Sequence, residues 1–188
     1  HTGLFEDNGD GAYVSKSKAI FDVVKKEGDE YVLYNNGCAC SQEYRRFNAE
    51  GRLIELSDRN GNKITLNYDG DNLAYVENAS GRKIEFVSND DGQITKAILP
   101  EGITLEYEYT DGLLTAFIDG RGTRTEYLYD GNSQIVKTVT PKGHPEIRVD
   151  YDGDYRVTEQ IVGENTTFKI EYSGDGSFAK VINAYGQV

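Results

Sequence analysis

Gly102-Ile103-Thr104-Leu105-Glu106-Tyr107-Glu108-Tyr109-Thr110-Asp111-Gly112 is the stretch that decides the fold, because its parts recur along the chain. Ile103, Leu105, Tyr107 and Tyr109 alternate with Thr104, Glu106 and Glu108, which predicts a period-two β-strand with its apolar and aromatic groups on one face. Thr110-Asp111-Gly112 then predicts a turn. Asp hydrogen-bonds its own backbone locally, and Gly accepts a positive φ without a steric penalty.

The same pattern repeats outward from this stretch. Gly61, Gly81, Gly102, Gly122, Gly143 and Gly186 fall 20 or 21 residues apart, save that the last interval skips a copy in which Glu164-Asn165 replaces Gly. A second series keeps step with the first: Phe47, Tyr68, Tyr109, Tyr129, Tyr151 and Tyr172, with Ser88 in the slot between Tyr68 and Tyr109. Each period holds two strands and two turns. A lone hairpin cannot bury its face, so successive units must pair side by side, and the expectation is one long antiparallel meander. Alternation persists at Ile84 and Phe86, at Ile147, Val149 and Tyr151, and at Phe168, Ile170 and Tyr172. A slip of one residue would turn each set to solvent, so register is well specified.

Residues 1–46 carry the pattern least well and read as N-terminal strands leading into or capping the repeats, with 47–188 as the repeat region proper. Strands are expected at Ala12 to Lys16, Ala19 to Lys25 and Tyr31 to Tyr34. The chain has 188 residues, 14 Tyr, 7 Phe, 21 Gly, 3 Pro and no Met or Trp, which suits many short strands and makes long helices improbable. Its net charge of −12 opposes nucleic acid and anionic membrane surfaces as partners. No apolar run approaches the roughly 18 residues of a membrane helix, so membrane insertion is not expected, and the missing Met before His1-Thr2-Gly3 suggests an excised fragment.

Tyr68-Asp69-Gly70-Asp71-Asn72-Leu73, Tyr129-Asp130-Gly131-Asn132-Ser133-Gln134-Ile135 and Tyr151-Asp152-Gly153-Asp154-Tyr155-Arg156-Val157 resemble the Tyr-Asp repeats of the Rhs/YD-repeat family. Phe47 through Asp69 is similar to the start of such a repeat region in bacterial Rhs and wall-associated proteins, and the resemblance covers about three quarters of the chain. It implies an all-β YD-repeat meander curving or spiralling into a shell, in a large secreted or surface-exposed bacterial protein. It implies as partners the neighbouring repeats and a C-terminal toxin domain of the polymorphic-toxin type, with carbohydrate as a further ligand. The aspartate-rich self-cleaving motif of many members is not found here, so neither proteolysis nor toxin activity carries over. Ser88, Thr110 and Ser173 depart from the family pattern.

Reaction chemistry has little support in the residues. His144 is the one internal histidine and reads as a turn residue, and Cys38-Ala39-Cys40 offers two soft ligands without a second pair, so free thiols are the favoured reading. The Asp-Gly-Asp clusters at 69–71 and 152–154, with Asp130-Gly131-Asn132, invite a calcium reading, but they fall where hairpin turns are needed. Asp7 to Asp10 leaves a weak calcium site open. Neither an enzymatic role, a cofactor nor a metal is expected. The landmarks Phe47, Gly61, Tyr68, Asp69, Gly81, Gly102, Tyr109, Gly122, Tyr129, Asp130, Gly143, Tyr151, Asp152 and Tyr172 are read as a structural motif. Tyrosines aligned on one face admit a second role, stacking on sugars or a protein partner, against packing of the inner face. Asn78-Ala-Ser80 and Asn165-Thr-Thr167 match the glycosylation pattern, which a bacterial source makes accidental.

Overall fold

A computed structural model describes residues 5–9, 11–15, 22–35, 43–141, 146–164 and 166–187. Cys38, Cys40, His144, Gly143, Asp10 and Asn165 lie outside the described residues. The chain forms two compact units, His1–Gly102 and Ile103–Val188.

Among the described residues the first unit is a run of ten strands: β1 (Phe5–Asp7), β2 (Ala12–Ser15), β3 (Val23–Glu27), β4 (Glu30–Tyr34), β5 (Tyr44–Phe47), β6 (Leu53–Ser57), β7 (Lys63–Asp69), β8 (Asn72–Asn78), β9 (Lys83–Ser88) and β10 (Ile94–Ile98). Each pairs antiparallel with the next in sequence. The second unit repeats the plan with β11 (Thr104–Thr110), β12 (Leu113–Ile118), β13 (Arg124–Tyr129), β14 (Ile135–Val139), β15 (Ile147–Tyr151), β16 (Val157–Val162), β17 (Thr166–Tyr172) and β18 (Ala179–Ile182). The expected all-β antiparallel meander, two strands to a period, is therefore the observed fold.

Burial follows the alternation but stays shallow. Lys83 to Ser88 alternates exposed and half-buried along β9, with Ile84, Phe86 and Ser88 inward. Among the described residues the buried hydrophobic side chains are Ala12, Val32, Tyr34, Ala97 and Ala116, and three of those five are alanines. Small residues vanish beneath longer neighbours. Ala116 is 0% exposed because it stands in the ladder between Glu108 and Glu126, and Arg124 bridges those two carboxylates across it.

The decisive stretch differs from its reading in two details. The strand begins at Thr104, and Ile103 stays outside it, 46% exposed and packed against Gly120, where a Cβ would sit 2.4 Å from its Cγ2. Glu101 and Gly102, both in the left-handed region at φ 71° and 79°, turn the chain just before, so the alternation starts one residue late. The second difference is a slip in register between Glu108 and Tyr109, where Glu108 faces Ala116 but Tyr109 faces Leu114. Thr115 is the extra residue of a β-bulge.

The bulge is periodic. Phe47, Tyr68, Ser88, Tyr109, Tyr129 and Tyr151 each stand beside one, and the extra residues opposite are Ile54, Ala74, Thr95, Thr115, Val136 and Thr158. Each bulge bends the return strand and raises its right-handed twist. At Thr95 and Thr115 the extra residue's hydroxyl donates to the Val87 and Glu108 carbonyls, at 3.2 Å in both cases.

Turn conformation gives a direct test. Gly122 closes its turn at φ 78°, a region an L-residue enters at a penalty of roughly 1–2 kcal/mol, whereas Ser133 occupies the same corner of its own turn at φ 64°. Gly122→Ala is expected to lower the unfolding free energy by about 1 kcal/mol and Ser133→Gly to raise it by up to about 1 kcal/mol. Urea titrations of the two variants check both signs.

Candidate functional site

The Tyr of the Tyr-Asp pair is a latch. Tyr68 donates its hydroxyl to the Leu53 carbonyl at 2.9 Å, Tyr129 to Leu114 at 2.8 Å, Tyr151 to Ile135 at 2.9 Å and Tyr172 to Val157 at 2.9 Å. The acceptor lies 15 or 16 residues back in every case. Geometry explains why it is needed. The β6–β7 ladder runs from Ser57 opposite Lys63 to Glu55 opposite Thr65, and Leu53 lies past its end, on the far side of the bulge. Leu114, Ile135 and Val157 lie past the last registered pairs of β12–β13, β14–β15 and β16–β17 in the same way. Where the bulge splays the strands, a side-chain hydroxyl continues the ladder. All four tyrosines, and Tyr109 at the same place on β11, are half-buried, so the row is neither sealed in a core nor spread on an open surface. Cations stack on some of the rings: Arg52 over Tyr68 at 5.6 Å and Arg156 over Tyr172 at 4.5 Å.

The Asp of the pair has two different jobs. Asp130 accepts the N–H groups of Asn132 and Gln134 through Oδ1, and Asp152 those of Asp154 and Arg156, at 2.9–3.0 Å. Each thereby organises a five-residue turn closed by backbone bonds from Asp130 N–H to Gln134 O and from Asp152 N–H to Arg156 O. Asp69 instead ends β7 opposite Asn72, and Gly70-Asp71 makes a two-residue hairpin loop with the positive φ at Gly70. Asp71 pairs with Arg52.

The other margin of each unit uses the same device. Asp58, Asn78, Asp119 and Asn183 accept N–H groups two and four residues ahead, and Gly61, Gly81, Gly122 and Gly186 supply the left-handed corner. Hydrogen bonds hold several of these carboxyls below the usual range: for Asp58 the side-chain amide and then the N–H of Asn62, for Asp119 the N–H groups of Thr123 and Arg121, and for Asp152 the N–H and then the guanidinium of Arg156.

The predicted site residues therefore do not converge. Phe47, Tyr68, Tyr109, Tyr129 and Tyr151 sit at the Tyr-Asp margins beside bulges, Tyr172 sits at the same margin in a hairpin of unbroken register, and Gly61, Gly81, Gly102 and Gly122 sit at the opposite margins. The sequence reading missed the acceptor residues Leu53, Leu114, Ile135 and Val157, the bulged residues, and Asn48 and Asn89, which hold turns of the Asp130 type. The Asp/Asn-x-x-Gly spacing at 48–51 and 89–92 was the signal available.

Among the described residues no group of three His, Cys, Asp or Glu stands close enough to hold a metal ion. A shallow cavity of about 480 Å³ is lined by Glu43, Ser57, Asp58, Arg59 and Asn62, but the Asp58 carboxylate is engaged with the turn through both oxygens. A denser polar network spans β3 to β7. Tyr34 donates to Glu27 at 3.0 Å and Tyr44 donates to Glu55, Arg46 binds Glu27 and Glu30, and Lys63 binds Glu55. Arg46 and Lys63 both stack on the Tyr44 ring, at 5.6 and 5.8 Å. Every charge in it has an opposite partner, so it pins register between neighbouring strands. No helix among the described residues is long and apolar enough to cross a membrane.

Two outcomes follow from this geometry. Tyr129→Phe keeps the ring and strands the Leu114 carbonyl, so it is expected to cost about 1 kcal/mol in urea unfolding and to speed amide exchange at the β12–β14 end. A carboxyl depressed by folding stabilises fully above its unfolded value, near pH 4, and that stability drains as pH falls through the folded value. The triple variant Asp58→Asn, Asp119→Asn, Asp152→Asn keeps the Oδ1 acceptor. Its melting temperature is expected to fall less than that of the wild type between pH 5 and pH 2.

A family model described as Teneurin YD-shell matches residues 32–185. Double-stranded DNA deaminase toxin A of Burkholderia cenocepacia (strain H111) is 26% identical over 133 residues, 69% of this chain and 9% of that protein. Among solved structures, the Tc holotoxin pore of Photorhabdus luminescens superposes with a TM-score of 0.59 at 12% identity, over 98% of this chain and 13% of that one. The TcdB2-TccC3-Cdc42 structure gives 0.59 at 14% identity, over 90% and 12%. The likeness in structure is one of fold, and the chain spans about a tenth of the length of these relatives. With the matched segment taking in all the bulges and tyrosine latches described above, the chain belongs to the Teneurin YD-shell family.

Proposed function

We propose that this shell segment is a length of wall in a secreted or surface-exposed bacterial protein, and that the complete wall encloses or presents a C-terminal toxin domain. Residues 47–188 form the repeat region in this reading, and residues 1–46 lead into or cap it. The fourteen landmark residues act as its structural motif, and the segment itself performs no chemistry. One observation carries the reading. Only five hydrophobic side chains among the described residues are buried and most of the strand residues are half-buried, which suits a length of wall continued by neighbouring repeats. Neighbouring repeats and the toxin domain are the partners, and sheet edges left unpaired favour self-association when the segment is produced alone.

The relatives fit this use, since a deaminase toxin and Tc toxin chains carry similar segments within much longer proteins. Carbohydrate stacking on the repeat tyrosines is weakened by the four hydroxyls turned to backbone carbonyls.

Limited proteolysis of the full-length parent protein tests the proposal. The C-terminal domain is expected to survive protease while the wall is intact, and to be cut at least several-fold faster when Tyr129, Tyr151 and Tyr172 are all changed to Phe. A domain digested equally fast in both proteins would sink the enclosure reading.

A further inference from the structure

Four turns at the glycine margins share one device, and the turn at 78–82 is unlike the other three. The accepting side chain is Asp58, Asn78, Asp119 or Asn183, and the N–H four residues ahead belongs to Asn62, Arg82, Thr123 or Gln187. Only at 78–82 does a neutral acceptor stand with a cation. Arg82 is exposed, and its guanidinium takes no ion pair among the described residues. Arg59 and Arg121 take none either, but they stand one and two residues from the turn aspartates Asp58 and Asp119. The turn of Arg82 holds no carboxylate at all.

This guanidinium borders a cleft of about 340 Å³ inside the first unit, lined by Ile64, Val76, Asn78, Arg82, Ile84 and Pro100. Register builds the apolar floor. Leu66 faces Val76 and Val76 faces Ile84, so Ile64, Val76 and Ile84 rise on one face of β7, β8 and β9. Pro100, in the short turn Pro100–Gly102 after β10, adds a fourth apolar group. Glu77 also borders the cleft, but on β8 it lies between Val76 and Asn78, so its side chain alternates to the other face, where Lys83 holds it at 3.5 Å. At the rim, Asn78 Oδ1 accepts the N–H groups of Ser80 and Arg82, both at 3.0 Å, which fixes the backbone from which the guanidinium departs. Ile64 is 42% exposed, so folding leaves apolar surface wet beside an unpaired cation.

Size and charge together identify the occupant. A mostly apolar cleft of a few hundred Å³ with a small number of polar groups at one end is the form of a small-molecule site. A guanidinium recognises a carboxylate through paired N–H bonds, and the apolar floor takes a hydrocarbon tail. The cavity of about 480 Å³ on the other side of Ile64 offers no equivalent place, because Glu43 and Asp58 line it and oppose an anion. An anionic bilayer surface is repelled by the net charge of −12, whereas a single small carboxylate meets Arg82 locally.

We propose that this cleft binds a free alkyl carboxylate, whose acid group pairs with the Arg82 guanidinium and whose tail lies on Ile64, Val76 and Ile84. The site is independent of the enclosure of a toxin domain, since it draws only on β7 to β9 and the turn after β10.

Titration of the ¹⁵N-labelled chain with decanoate tests it, with decanol as the uncharged tail and acetate as the tailless acid. Decanoate is expected to shift amides of β7 to β9 and of the turn 78–82, and decanol and acetate to bind about tenfold more weakly or worse. Arg82→Gln keeps the N–H that Asn78 accepts, so its melting temperature is expected to hold while decanoate affinity falls about tenfold and decanol affinity is unchanged. Ile64→Ser, at an exposed position, should weaken decanoate and decanol alike. Wild-type affinity for decanoate in Arg82→Gln overturns the proposal, as does acetate binding as well as decanoate. So do shifts that gather along the tyrosine row and leave β7 to β9 unmoved.

Discussion

Backbone pairing between strands adjacent in sequence is the interaction on which the rest of this molecule depends. A sheet whose inward side chains are mostly half-buried draws little from a core, so each strand is held chiefly by its two neighbours. Stability in such an arrangement approximates a sum of unit and nearest-neighbour terms, as in other repeat proteins. Interruption of the ladder is therefore the most damaging local event available. The bulges beside Phe47, Tyr109, Tyr129 and Tyr151 are such interruptions, and the hydroxyl of the tyrosine one period on, Tyr68, Tyr129, Tyr151 and Tyr172 in turn, spans each of them. Where both occur they complement each other: the bulge introduces the bend, and the latch restores a hydrogen bond that the bend removes.

The sheet's two faces divide the remaining work. Cross-strand ion pairs such as Lys63–Glu55, Lys83–Glu77, Lys137–Glu146 and Lys169–Glu159 line the polar positions. Exposed pairs of this kind are worth roughly 1 kcal/mol or less each, so their sum adds little to stability. Their value is in register, because a slip of one residue separates the paired charges and turns the apolar set outward. The Arg124 guanidinium, bidentate to Glu108 at 2.7 and 2.8 Å and bonded to Glu126 at 2.9 Å, locks three successive strands at one point.

Much of this was legible in the sequence because alternation and period are one-dimensional. Tyr107 and Tyr109 announce a strand, and Gly81 to Gly102 to Gly122 announces its recurrence, without knowledge of what lies across the ladder. The bulges were not legible for the opposite reason. Leu53-Ile54 and Ile135-Val136 are adjacent apolar residues, and a period-two reading cannot say which of the pair is the extra one. Nor does Tyr-Asp reveal by itself whether its Asp organises a five-residue turn, as Asp130 and Asp152 do, or ends a strand, as Asp69 does. That depends on where the corner falls: Gly70, the next residue, takes the positive φ at once, whereas the turns after Asp130 and Asp152 delay it three residues, to Ser133 and Tyr155. Polar residues such as Asn48 and Asn89 were overlooked because Asn and Asp are interchangeable as Oδ1 acceptors, and only Asp carries the charge that draws the eye.

The bulge is indifferent to the turn that precedes it. A two-residue loop at Gly70-Asp71 or Asp111-Gly112 and a five-residue turn at 48–52, 89–93, 130–134 or 152–156 all deliver the return strand with its extra residue next to the landmark position. Ser88, which has no ring to offer, keeps the bulge as well. The bend is therefore a property of the hairpin, and the tyrosine is fitted to it. Such a division frees the turn to vary in length and content without altering how strands follow one another. Side chains exposed on those turns, Tyr155 among them, can change while the ladder behind them stays the same.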